Sequence, residues 1–449
     1  MQAERPLEYN PFVRVQFWPA CGVFVRTSAI FSLACFAATC SRTGLDHTAV
    51  VDSGLDAAAV PDAVALADAA RLAVADSAAR PPDGRPAQPP DGRACKWTFA
   101  PQVLYPAAWS PWSLAVGDFN GDGVPDVAAA SSDETANSVA VWLNKGDGTF
   151  APPVSYALSN DSRYASSWTV AAGDFNGDRK LDLAVVGDTS STGAILFGQG
   201  DGSFAPEVPF TMSSEGALGI AVSDFDGDNK PDLAVATGGQ TVNVFLNQGD
   251  GSFPQELAYS AGGGAWTIAI ADFNRDGHPD IAVAASPSGV SLLGNNGDGT
   301  FAPPVTLSFN SANESNVVVA GDFNDDGFPD LACTFFEGQG VAVWLNRGDG
   351  SFAPEVDYPT GFSPTGIAVA DFNGDGRTDL AVANSFVYDS SISVLLNAGG
   401  GTFPTQAIFA AGSVPNDIAA ADFNGDGHTD LVVANTGDQT LGIVLAECR

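Results

Sequence analysis

Residues 118–126 read Asp-Phe-Asn-Gly-Asp-Gly-Val-Pro-Asp, and an apolar stretch, Val127 to Ala130, follows directly. The same pattern, Asp-Phe-(Asn/Asp)-x-Asp-x-x-x-Asp and then an apolar run, returns with its first Asp at 174, 224, 272, 322, 371 and 422. The intervals are 56, 50, 48, 50, 49 and 51 residues. A period near 50 is the mark of a propeller or solenoid. Around each acidic stretch the unit reads as four short strands. An apolar strand such as SLAVGDF precedes it, and a second such as DLAVAN follows. A third such as VAVWLN leads into the turn Asn-x-Gly-Asp-Gly-(Ser/Thr)-Phe, seen at Asn144 to Phe150 and Asn346 to Phe352, and a fourth such as APPVSY ends the unit. Asp-Gly between apolar runs is a strong hairpin signal, and no segment carries a convincing helical period. Four strands in each of seven units predict an all-β, seven-bladed propeller over residues 95–449.

Strand packing and ring closure are written in the same text. One and three residues before the first Asp the side chains are small in six of the seven units, as at Ala115 and Gly117 or Ala171 and Gly173, which predicts inner strands wedged between neighbouring blades. The last unit stops after its third strand, at LGIVLAECR, and a spare fourth strand stands at the other end, in CKWTFAPQVLY. The seventh blade is therefore expected to draw on both ends of the repeat region, which removes an exposed edge. Cys95 lies four residues before Phe99 and Cys448 three after Leu445, the offsets Gly146 has from Phe150 and Leu143. A Cys95–Cys448 disulfide is expected at that turn. Closing a loop of more than 350 residues, it would stabilise by about 5 kcal/mol in the loop-entropy treatment. Cys333, inside DLACTFF, reads as a buried small hydrophobe.

The acidic stretches have the chemistry of calcium loops. Positions 1, 3, 5 and 9 offer Asp or Asn oxygens, and the carbonyl of position 7 is a further donor. Hard oxygen ligands alternating on a tight loop select Ca²⁺. The expected donors are Asp118, Asn120, Asp122, Val124 and Asp126 in the first loop; Asp174, Asn176, Asp178, Lys180 and Asp182 in the second; Asp224, Asp226, Asp228, Lys230 and Asp232 in the third; and Asp272, Asn274, Asp276, His278 and Asp280 in the fourth. They continue as Asp322, Asn324, Asp326, Phe328 and Asp330; Asp371, Asn373, Asp375, Arg377 and Asp379; and Asp422, Asn424, Asp426, His428 and Asp430, for up to seven ions. The EF-hand is excluded, because position 12 is Ala129 or its equivalents inside apolar strands rather than Glu. Position 6 is Gly in five loops, but Arg179 and Asn229 stand there in the second and third. The second loop should be strained and bind most weakly.

These motifs, DFNGDGxxD with GDGSF turns at a seven-fold period, resemble the FG-GAP and VCBS-type repeats of integrin α-chain-like propellers. The resemblance spans residues 95–449 and implies calcium between the first and second strands, on one face of the disc. It also keeps a lectin open as an alternative. On the opposite face the residue six before each loop is Trp112, Trp168, Leu218, Trp266, Asn316, Thr365 or Asn416. Trp112, Trp168 and Trp266 are the candidates for a ligand rim that stacks a sugar. Arg347-Gly348-Asp349 spells an adhesion tripeptide, but it falls in a repeated turn whose variable slot happens to hold Arg.

Ahead of the repeats, residues 27–39 form a short apolar run after Arg26, as in an export signal, and end at Cys40 in a context resembling a lipobox. Residues 1–40 thus read as a signal segment, with lipidation of Cys40 and free secretion both open. Residues 41–94, rich in Ala, Asp and Pro, read as a disordered linker. The expected location is outside the cell or on an outer surface, with membrane attachment only through an N-terminal lipid. The net charge is −35, from 53 acidic and 18 basic residues. That balance argues against nucleic acid as a partner. Of the acidic residues, 22 stand at the four side-chain donor positions of the loops, 28 positions less six Asn. The three His comprise one in the linker and two at loop position 7, and no catalytic constellation is visible. A non-enzymatic module that binds an extracellular protein or glycan is the reading, with a calcium-dependent polysaccharide-active enzyme as the weaker alternative.

Overall fold

The computed structural model describes residues 15–17, 23–25 and 97–448, apart from 108, 132–136, 159–167, 189, 215, 310–313, 336–338 and 387–388. Residues 1–42 form a unit of their own, in which Val15–Phe17 pairs antiparallel with Val23–Val25. The signal segment at 27–39, Cys40 and the linker at 41–94 lie outside the described residues.

The repeat region folds into seven four-stranded antiparallel sheets, and no helix occurs among the described residues. Blade 1 runs from inner to outer strand as Pro111–Gly117, Asp126–Ser131, Ser138–Trp142 and Val154–Ala157. The second strand is buried at every residue, as is its counterpart Asp232–Thr237 in blade 3. Outer strands are instead half exposed, with Val154 at 52%. An edge strand has water on one side, so the alternation appears only there. Blade 7 joins Pro415–Ala421, Asp430–Asn435 and Thr440–Val444 to Val103–Pro106 from the other end of the repeats. Leu441 faces Tyr105 in that ladder, and Trp97–Phe99 pairs with Ala446–Cys448. The expected closure is therefore present.

The core is divided into seven clusters, and each lies between two blades. One joins Phe119, Val139 and Val141 of blade 1 to Val170, Leu183 and Phe204 of blade 2. Another closes the ring, with Trp142 and Phe150 of blade 1 against Phe423, Val432 and Leu441 of blade 7. No blade can bury its faces alone, so each needs both neighbours. The small residue before the loop sets the spacing. A Cβ on Gly117 would stand 2.5 Å from Leu181 Cδ1 of blade 2.

Candidate metal centre

In each blade the acidic loop joins the first strand to the second, and in blades 1 to 6 a Gly-rich turn, Asn-x-Gly-Asp-Gly in blades 1, 3, 4 and 5, joins the third to the fourth, so both lie at one face. Antiparallel pairing forces this. The loop ties itself down through its own carboxylates. Asp118 Oδ2 accepts the Gly123 amide at 2.8 Å, Asn120 Oδ1 that of Asp122 at 2.8 Å, and Asp122 Oδ1 that of Val124 at 2.9 Å. The same three bonds recur in the other six loops, down to Asp422 with Gly427, Asn424 with Asp426 and Asp426 with His428. Asp and Asn favour such local bonds. The Asp at position 5 thereby commits one oxygen to the backbone and keeps the other, whereas the Asn at position 3 of six loops has a single oxygen, which accepts that amide.

Position 9 is held differently. Asp126 Oδ2 accepts the Phe119 amide at 3.0 Å and its Oδ1 the Asn144 amide at 2.8 Å. Its six equivalents, Asp182 to Asp430, do the same. All seven are buried. Burial raises Asp126, Asp182, Asp280, Asp330, Asp379 and Asp430 from 3.8 to about 7, and Asp232 to about 8. Two amide bonds pull each of these values down without cancelling the desolvation. Burial also raises Asp272, Asp371 and Asp226, the last helped by the charge of Asp228.

Carboxylates so placed fit a divalent cation. In the third loop oxygens of Asp224, Asp226 and Asp232 all lie within 4.8 Å of one another. The donors are hard oxygens only, as Ca²⁺ requires, with no imidazole or thiolate among positions 1, 3, 5 and 9. His278 and His428 sit at position 7, where the backbone rather than the ring belongs to the loop.

The structure adds three features that the motif alone did not reveal. First, position 4 also needs a left-handed backbone. Arg275 and Asp325 hold it at φ of 58° and 61°, beside the position-6 residues Arg179 at 66° and Asn229 at 63°. Strain is thus spread over loops 2 to 5 instead of being confined to the second. Secondly, the turn Asn staples blades together. Asn346 Nδ2 donates to Pro329 O in its own loop and to Phe273 O in the preceding one. Gly198 and Ala446 replace it in blades 2 and 7. Thirdly, each loop Phe meets the turn Phe of the next blade edge-on, from 5.5 Å for Phe225 and Phe301 to 6.1 Å for Phe372 and Phe99. The repeat spelled out both partners, but their pairing across blades needed the ring.

On the opposite face the rim reading requires correction. Trp112 is only 2% exposed, while Trp266 is half-buried against the core of blades 4 and 5. The side chain of Trp168 lies outside the described residues. The polar members of the set link neighbouring inner strands: Asn416 Nδ2 donates to Trp112 O, Asn316 Nδ2 to Pro364 O and Thr365 Oγ1 to Pro415 O. A buried amide has to find an acceptor, and the adjacent strand supplies one. Cys95 and the Cys448 side chain also lie outside the described residues, though the Cys448 backbone faces Trp97. Cys333 is buried as expected, and desolvation pushes its thiol up to about 12.

A family model described as FG-GAP-like repeat matches seven overlapping windows: 88–129, 119–185, 174–235, 224–283, 272–333, 322–382 and 371–433. No curated relative matches the chain in sequence. Among solved structures it is similar to BBS1N in complex with ARL6DN, at 15% identity and a TM-score of 0.55, over 79% of this chain and 98% of that one. It is also similar to Raptor of Chaetomium thermophilum, at 12% identity and a TM-score of 0.53, over 81% of this chain and 30% of that one. A lectin of Agrocybe aegerita, described as recognising non-reducing terminal N-acetylglucosamine, matches at 20% identity and a TM-score of 0.48, over 73% of this chain and 86% of that one. At these identities the likeness is one of fold. With seven matched repeats running through seven closed blades, the chain belongs to the FG-GAP-like repeat family of β-propellers.

Proposed function

We propose that the chain is a calcium-stabilised, non-enzymatic propeller that works outside the cell and binds an extracellular protein or glycan. The observation that carries this reading is the sevenfold recurrence of a buried position-9 carboxylate beside three further oxygen side chains. Grouped carboxylates out of water are costly unless a cation accompanies them. Extracellular calcium is in the millimolar range that modules of this kind use, and the export-like segment at 27–39 supports the same compartment. Loop donors at positions 1, 3, 5 and 9 would hold the ion with the position-7 carbonyl. Its charge would hold the paired loops and turns of adjacent blades together.

Partner binding is assigned to the face away from the acidic loops, where side chains differ from blade to blade. The glycan version of this reading loses Trp112 as a stacking surface, and a glycan array at millimolar calcium tests what remains of it.

A chelator tests the calcium claim. With ion at about 100 times its dissociation constant each site contributes about 2.7 kcal/mol. Seven sites in a domain of this size then shift the melting temperature by about 20 °C. An unchanged melt after chelation overturns the proposal.

A further inference from the structure

Three of the seven loops carry a permanent cation at position 7. Position 7 is Lys180 in loop 2, Lys230 in loop 3 and Arg377 in loop 6. Lys230 Nζ stands 2.6 Å from Asp228 Oδ2, Arg377 Nη1 3.4 Å from Asp375 Oδ2 and Lys180 Nζ 3.5 Å from Asp178 Oδ2. In each loop the other oxygen of that aspartate, Oδ1, already accepts the position-7 amide. The basic group therefore takes the oxygen that the backbone leaves over. Loops 1, 5 and 7 cover the same oxygen with a neutral group: Asn120 Nδ2 reaches Asp122 Oδ2 at 3.0 Å, Asn324 Nδ2 reaches Asp326 Oδ2 at 2.9 Å and Asn424 Nδ2 reaches Asp426 Oδ2 at 3.0 Å. Loop 3 has no such option, since its position 3 is Asp226, an acceptor, and it alone places four carboxylates at the donor positions.

We propose that Lys180, Lys230 and Arg377 are resident counter-ions of their loops, competing with the divalent ion for the position-5 carboxylate and thereby setting the calcium affinity of loops 2, 3 and 6 below what their carboxylates alone would give. The seven sites then fill in two classes, and the resident charge steadies the ion-free loops. Lys230 has the largest part, because it offsets the extra carboxylate of Asp226. These pairs are partly solvated, with the basic side chains 39–43% exposed. An exposed ion pair contributes little, so the expected change is about two- to fivefold per loop. It shrinks as salt screens the pair.

The inference rests on the calcium reading, and the test separates the two. Calcium titration calorimetry of the full chain at low ionic strength compares wild type, Lys230→Met and the triple variant Lys180→Met/Lys230→Met/Arg377→Met. Methionine keeps an apolar stem and the backbone carbonyl and removes the charge. The expected result is one site tightened about two- to fivefold in the single variant and three in the triple, with Lys230→Arg returning to wild-type affinity. Thermal melts supply a second readout: the Met variants melt below wild type in chelator, and that deficit closes in saturating calcium. Calcium binding by wild type with unchanged or weaker binding by both Met variants overturns this inference alone. No binding by any of the chains overturns the calcium reading and this inference with it.

Discussion

On the face that carries the acidic loops, the amide of the loop Phe donates to the position-9 Asp in every blade, from Phe119 with Asp126 to Phe423 with Asp430. On the opposite face the corresponding inner-strand position holds Trp112 in one blade, Asn316 in another and Thr365 in a third, and each solves its own packing problem. Both faces join neighbouring blades by hydrogen bonds. Only the first repeats a single solution. A need shared by every blade, such as an ion with fixed donor positions, leaves a face little freedom. A need to close the gap between two particular blades leaves much more.

The largest test of this contrast is a pair of substitutions. Asp330→Ala removes the acceptor for the buried Phe323 and Asn346 amides, at 2.9 and 2.7 Å, and should cost about 3 kcal/mol even without metal. Asn416→Ala on the other face removes one donor to Trp112 O, at 2.9 Å, and should cost about 1 kcal/mol. Denaturant unfolding in chelator compares the two, and equal losses would break the contrast.

A second test uses pH. The position-9 carboxyls bind protons up to pH 7 or 8 in the folded, ion-free chain, but only up to about 4 when unfolded. The folded state then holds more protons between those limits, so ion-free stability falls as pH rises through that window. Calcium displaces those protons, so the loaded protein should gain stability over the same range. Melts at pH 5 and pH 8, with and without chelator, read the sign, and the same sign in both would remove the metal from the account.

The smallest effect sharpens the comparison among the loops themselves. Arg179→Gly relieves a left-handed backbone at φ of 66° and should add about 0.5–1 kcal/mol, read as a higher denaturant midpoint. A loss instead would mean that the Arg179 side chain makes up for its backbone.

Much of this was legible in the sequence because the unit is short and repeated. The period near 50, the alternation of loop and turn, and a final unit lacking its fourth strand give the blade count and the closure at Val103–Pro106. The donor positions of each loop were legible too, since Asp, Asn and Gly signal tight turns directly. What stayed hidden depends on contact between blades. The Asn346 staple joins carbonyls 17 and 73 residues away, and no local pattern announces such a bond. Trp112 was misplaced because a repeated position states that a residue sits at a strand end, not whether its side chain is buried. The left-handed position 4 escaped notice because only Arg275 and Asp325 break the run of Gly there, and the strain shows only in the backbone angle.

The most direct measurement is the metal content of the purified chain, by native mass spectrometry in calcium and again after chelation. Seven acidic loops of one design should hold up to seven calcium ions per chain, all lost to the chelator together with a marked fall in melting temperature. A chain that carries no calcium in millimolar calcium, and melts alike with and without chelator, would contradict the account.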